Sequence, residues 1–225
     1  MAREPPTMRV HRRACVLLTG VVVLVVYHVA VRPWHRFWGT TAEERRRRLP
    51  GDEFVADPTA ETTRAITIRA PVEAVWPWIV QLGQGRGGMY SYTRLENRIG
   101  AEMHNADDVL PEYQTVAVGD EIRTYPGDSL VERVWPSMHA VPVSTVVLLE
   151  RGRTLVLQGF DGGTWTFHLD PLDAETTRFV VRSRTPRGAS LPVTLFRHLV
   201  YEFPHFVMER GMMRGIRSRA ERHAG

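Results

Sequence analysis

The sequence predicts an α+β fold: a curved antiparallel sheet closed by a long C-terminal helix, behind a single apolar N-terminal helix. Three patterns predict it. Residues 14–31 form one unbroken apolar run. Short segments between about 120 and 184 alternate apolar and polar residues with the period of a strand. Residues 190–222 then return to helical spacing, with Phe196, Leu199, Phe203, Val207, Met213 and Ile216 as the apolar stripe.

The apolar run is about 18 residues long, near the lower limit for crossing a bilayer core. Arg12 and Arg13 precede it; Arg32, Trp34, Arg36, Phe37 and Trp38 follow it. Arginines and aromatics at both ends match the belts of a membrane helix. A cleaved signal peptide would end in small residues, whereas this run ends in Val29-Ala-Val-Arg-Pro33, so an uncleaved transmembrane anchor is expected. The basic tail is then 1–13, the juxtamembrane segment and linker 32–63, and the folded domain 64–225. Both flanks are positive, and the larger count on the domain side, including Arg45 to Arg48, points to a cytoplasmic domain. The arginine quartet is either a solvated helix end or a contact for anionic lipid heads.

Within the domain, residues 64–70 alternate as a half-buried strand. Pro71 opens a helix whose face is Val72, Val75, Trp76, Ile79 and Leu82, with a kink expected at Pro77 and an end at Gly83. A second short helix is expected from Ser91, as N-cap, to Gly100. Strands are expected at 121–125, 130–135, 141–149, 154–160, 164–169 and 177–184, with 170–175 as a hairpin loop. Trp165, Phe167 and Leu169 share one face, which leaves His168 on the other and exposed. Pro204 should kink the long helix.

Composition removes several chemistries. All 29 basic residues are arginine, so there is no lysine for a Schiff base or a P-loop. The one cysteine, Cys15, lies in the apolar run, which excludes a disulfide, a cysteine-based zinc site and a thiol nucleophile in the domain. Residues 1–48 hold ten arginines against three glutamates, whereas residues 49–225 hold 19 arginines against 22 acids. The basicity belongs to the membrane end, and a mildly acidic domain argues against nucleic acid.

Several segments together resemble a known family. They are Arg32-Pro-Trp-His-Arg-Phe-Trp-Gly39, Leu49-Pro-Gly-Asp52, Ile66-Thr-Ile-Arg-Ala-Pro-Val-Glu-Ala-Val-Trp-Pro-Trp78 and Gln84-Gly-Arg-Gly-Gly-Met-Tyr-Ser-Tyr-Thr-Arg-Leu-Glu-Asn97. Pro111-Glu-Tyr-Gln114, Gly119-Asp120 and Phe206-Val-Met-Glu-Arg-Gly-Met-Met-Arg-Gly-Ile216 complete the set. The chain resembles the SRPBCC superfamily of helix-grip domains, which includes START lipid-transfer domains and polyketide cyclase/dehydrase-like proteins, and in particular its actinobacterial members of unassigned function. The resemblance implies a helix-grip fold with a cavity for an apolar or aromatic small molecule. It carries over no catalytic motif and implies no cofactor.

In that fold Met89, Tyr90 and Tyr92 lie where the cavity opens, with Trp76, Trp165, Phe203, Phe206 and Met212 as further lining; a solid core of the same residues is the alternative. Arg86, in the loop Gly83-Gln-Gly-Arg-Gly-Gly88, could meet an anionic group, although the loop reads more simply as a turn between helices. Glu96, His104 and Tyr92 are candidates for proton transfer. Glu96 follows Tyr92 by four residues and Leu95 by one on that helix. It either edges onto the buried side, where its pKa would rise, or pairs at the surface with Arg94 or Arg98; the surface pair is expected. Glu102, His104, Asp107 and Asp108 fit no standard metal spacing and read as a polar loop, so no metal is expected. The sequence leaves three readings open: a membrane-anchored binder of an apolar ligand, a cyclase/dehydrase-like enzyme, and a non-catalytic accessory protein.

Overall fold

The computed structural model describes residues 15, 18–98, 100, 102–124, 143–188 and 190–224. The strand expected at 130–135 lies outside them. Six antiparallel strands form one sheet in the order β1-β6-β5-β4-β3-β2. They are β1 (Ala60–Ile68), β2 (Glu121–Arg123), β3 (Val143–Glu150), β4 (Thr154–Gly159), β5 (Thr164–Pro171) and β6 (Thr177–Thr185). Helix α1 is Leu18–Arg36, α2 is Ala42–Arg46, α3 is Val72–Val80 and α4 is Thr93–Arg98. The long helix α5 runs through Leu191–Phe196, a π turn at Arg197–Tyr201, and Glu202–Ala224.

Alternation builds the inner face as expected. Phe167 pairs with Val181 and Leu155, Leu169 with Phe179, and Trp165 with Leu157. These side chains, with Ile66 and Ile68 of β1, face α3 and the C-terminal part of α5 in one apolar core. From α5 that core takes Met212, Met213, Ile216 and Ala220, while Phe206 and Glu209 are buried further toward the start of the helix. A sheet gripping a long helix is thus the fold present.

Two expectations change here. The apolar stripe of α5 is buried only from Phe206 onward, while Leu199 and Phe203 are exposed. Just before Pro204, where a kink is expected, the helix takes a π turn in which Glu202 N donates to Arg197 O. Pro33 in α1 is preceded by a matching π turn, Tyr27–Val31.

Of residues 39–63, expected as a linker, the segment around residues 40–55 folds over the outer face of the sheet, and 60–63 extend β1. Leu49 packs on Ala65 and Val180. Arg182, almost fully buried, donates to Thr63 Oγ1 (3.0 Å), Asp52 Oδ2 (2.7 Å) and the carbonyls of Arg47 (3.0 Å) and Glu44 (2.8 Å). Arg178 holds Glu44 at 2.7 Å, and the Thr41–Glu44 capping box starts α2. This cover corrects the expectation for His168. It does point away from Trp165 and Phe167, but the outer face is roofed, so His168 is buried.

The end of α1 is joined to edge strand β1. Ala65 N donates to Trp38 O (3.1 Å), Arg64 Nε to His35 O (2.8 Å), and Arg36 Nη2 to Glu61 O (2.6 Å). Gly39 has φ +74, and a Cβ there would overlap the Ala65 carbonyl, so only glycine allows this approach.

Candidate functional site

On β1 the position that alternation assigns to the inner face ahead of Ile66 and Ile68 is occupied by a charge. The residue is Arg64, and its side chain is 1% exposed. Glu209 interrupts the buried face of α5 in the same way and forms the ion pair with Arg64 Nη1. The other oxygen of Glu209 accepts from Trp165 Nε1 at 2.8 Å. Arg64 also lies over the Phe206 ring, 5.2 Å from its centroid, and 3.5 Å from His205 Nδ1. Burial holds the His205 imidazole below its ordinary pKa. The cluster thus joins β1, β5, α5 and, through the His35 carbonyl, α1.

A buried ion pair of this kind is sustained only if nearly every donor and acceptor is used. Arg64 Nη2 is buried and has no partner among the described residues. Among the described residues the site therefore keeps the two N–H groups of that nitrogen free, beside an aromatic wall. Sequence reading missed this pair, although its signal was present: a charge at an inner-face position of both the strand and the helix.

The expected lining residues divide. Tyr90 and Met212 are in the core, with Trp76, Met89 and Trp165 packed against it. Phe206 contacts Trp34, Trp38 and Phe203 at the junction with α1. Phe203 is exposed on α5, and Tyr92 is exposed beside Gly211. Arg86 is committed to the carbonyls of Val80 (2.9 Å) and Tyr113 (3.3 Å) and stacks on the Tyr113 ring. Its loop is the turn expected, closed by a bridge between Gly83 and Gly88. Tyr90 is held at φ 54 by Asn105, and its hydroxyl accepts from Gln81 Nε2 at 2.6 Å; burial raises its pKa to about 12.

Glu96 reverses its expectation. On α4 it is the buried residue, while Leu95 is exposed. No arginine pairs with it, one of its oxygens is unpartnered among the described residues, and desolvation lifts its pKa to about 7. Ser91, expected as the N-cap of that helix, instead donates to Met208 O of α5 at 2.8 Å. His104 is exposed; Asp107 pairs with Arg219 at 2.9 Å, and Asp108 lies 3.7 Å from His223.

A row of groups on the outer face looks like a catalytic triad but lacks its access. His168 lies 2.9 Å from Thr154 Oγ1 and 3.0 Å from Asp170 Oδ1. Thr154 is fully buried and donates to Glu150, so no substrate reaches the hydroxyl. Burial lowers the His168 pKa. Asp170 ends below its ordinary value although burial opposes its charge, because Arg47 and His168 stabilise it.

Two surface hollows accompany these centres. One, about 430 Å³, is lined by Arg45 to Arg48, Asp52, Ala56, Glu61, Arg182 and Arg184. The other, about 450 Å³, is lined by Arg214, Arg217, Ser218, Glu221 and Arg222. Neither draws on the inner face of the sheet.

Comparison with solved structures returns proteins of the same general architecture. The Zhui aromatase/cyclase from Streptomyces sp. R1128 matches over 74% of this chain and 96% of its own, with 16% identity and a TM-score of 0.39. The Polyketide_cyc-like protein Cgl2372 from Corynebacterium glutamicum matches over 73% and 88%, with 16% identity and a TM-score of 0.33. The Aha1 dimer from Colwellia psychrerythraea matches over 74% and 100%, with 12% identity and a TM-score of 0.41. No family model matches the chain, and neither does any curated protein. The helix-grip reading rests on the chain's own sheet order and the helix laid across it.

Proposed function

We propose that this is a membrane-anchored helix-grip domain that binds an apolar molecule carrying an oxygen acceptor. The observation behind the reading is the free, buried Nη2 of Arg64, set beside Phe206 and sharing Glu209 with Trp165. A charged donor with no partner is costly in an apolar interior, and a ligand carbonyl or carboxylate would satisfy it. Aromatic rings around one polar anchor are what an apolar ligand with a polar end requires. The ligand would lie between the sheet and α5, entering at the junction with α1.

The anchor reading is supported by α1, which among the described residues is long and apolar enough to cross a membrane, a property that signal sequences share. Arginine on the domain side supports a cytoplasmic domain. The test is native mass spectrometry of full-length protein extracted in mild detergent, followed by identification of small molecules released on denaturation. Wild type should carry an apolar molecule with an ester, carboxylate or ketone, and Arg64→Gln should lose most of it. The reading fails if wild type is empty and a brominated fatty acid or aromatic ketone does not quench its tryptophan fluorescence.

One observation favours the cyclase/dehydrase-like alternative. Glu96 is a buried carboxyl with a pKa of about 7 and a free oxygen, the properties of a general acid–base group. Enzymatic conversion of a bound polyketide-like substrate that is lost in Glu96→Gln, with binding retained, would establish that reading; conversion unaffected by the substitution would remove it.

A further inference from the structure

The first turns of α5 are amphipathic in the opposite sense to a soluble surface helix. Leu191, Leu195, Leu199 and Phe203 recur at four-residue steps and are 70%, 50%, 60% and 43% exposed, with Val200 beside them at 54%. The charged residues of the same turns are tied to neighbouring elements, Arg197 at the surface and Glu202 largely covered. Arg197 pairs with Asp161 of the β4–β5 turn at 2.5 Å, and Glu202 with Arg32 and Arg36 of α1 at 2.9 and 3.5 Å. A helix at a water boundary presents charge outward and apolar residues inward. This one needs an apolar medium on its outer side.

The medium is identified by what runs alongside. Tyr27 Oη meets His198 O at a sequence offset of 171, and Arg32 meets Glu202 at 170, so α1 and α5 run parallel and in step. Their π turns fall at the same level. Leu191 therefore lies level with about Gly20, beside the exposed run Val21 to Val26. At the domain end of both helices, Trp34, Tyr201 and Phe203 stand with Arg32 and Arg36, the residue types that gather at a membrane surface.

We propose that residues 191–203 of α5 are a second lipid-contacting element, laid parallel to α1 with Leu191, Leu195, Leu199, Val200 and Phe203 against the acyl chains. The inference rests on the anchor reading of α1 and extends it: the domain is held in the bilayer by two helices rather than one.

The single cysteine makes the test direct. In a full-length Cys15→Ser background, one cysteine is placed in turn at Leu195, Leu199, Val22 and Val118, the last exposed in the domain. Each is spin-labelled in vesicles of phosphatidylcholine and phosphatidylglycerol (about four to one). Labels at 195 and 199 should, like that at 22, be relaxed by oxygen and shielded from an aqueous nickel chelate, with 118 the reverse. If 22 is in lipid but 195 and 199 are open to nickel, the second element is refuted and the anchor stands. If 22 is also open to nickel, the anchor reading fails and the inference with it. Shielding at 195 and 199 that disappears when protein is diluted in lipid would mean that a second copy of the chain covers this face, and would overturn the proposal.

Discussion

Arg64 on the edge strand and Glu209 on the long helix are locked to each other across the inside of the grip, each with its side chain 1% exposed. Removing one member of such a pair strands a charge and typically costs about 3–5 kcal/mol, whereas replacing both with apolar groups is often nearly neutral. Glu209→Leu should therefore lower the unfolding midpoint strongly, and Arg64→Leu/Glu209→Leu should regain most of the loss. Thermal unfolding in detergent, followed by near-ultraviolet circular dichroism of the Trp165 environment, measures both. An additive double variant would show that the pair is not coupled.

Glu96 gives the stability a pH dependence of defined sign. Its folded-state pKa, about 7, lies above the ordinary 4.5, so the unfolded chain releases the proton first. Stability from this group is complete below about pH 4.5 and is lost as pH rises towards 7, an effect on the order of 3 kcal/mol. Glu96→Gln should flatten that part of the denaturant midpoint against pH curve. An unchanged slope would mean the carboxyl is ionised in the fold.

Gly215 permits the closest approach of α5 to the Tyr90 loop. A Cβ there would overlap the Tyr90 carbonyl, which is backbone and cannot swing aside. Glycine to alanine inside a helix ordinarily stabilises by about 1 kcal/mol. Gly215→Ala should instead destabilise by about 1–3 kcal/mol. Chemical denaturation of this variant would show the reversal of sign.

Arg182 pins the cover formed by residues 40–55 to the sheet through Asp52, Glu44 and Arg47. Arg182→Met should free the segment around Arg45 to Arg48 for tryptic cleavage while leaving the sheet core intact. Digestion timed by mass spectrometry of the released fragments is the check, and equal cleavage rates in both proteins would contradict the role assigned here.

The sheet and the lower half of α5 were legible because alternation and helical spacing report burial on one face. That logic fails where two layers cover a strand. His168 and Arg182 point away from the apolar core as alternation requires, yet residues 40–55 cover them, and an arginine-rich segment carries no apolar pattern to announce it. Glu96 and Leu95 exchange roles for a similar reason: on a six-residue helix, neighbours decide the buried side and period does not. Arg64 and Glu209 were readable only as exceptions to their own elements. Leu199 and Phe203 were read as core because periodicity marks an apolar face without saying what covers it.

Gly39 has a mechanical consequence. By letting the backbone after α1 lie directly on β1, it removes the slack that a tether normally provides, and the joint has no swivel. On the proposed anchor reading the domain is a head on a mast rather than a float on a leash: its height above the membrane is set by the tilt of α1. On that same reading, a ligand would reach the head by lateral diffusion in the membrane or by delivery to that fixed height, rather than through a search of the surrounding solvent.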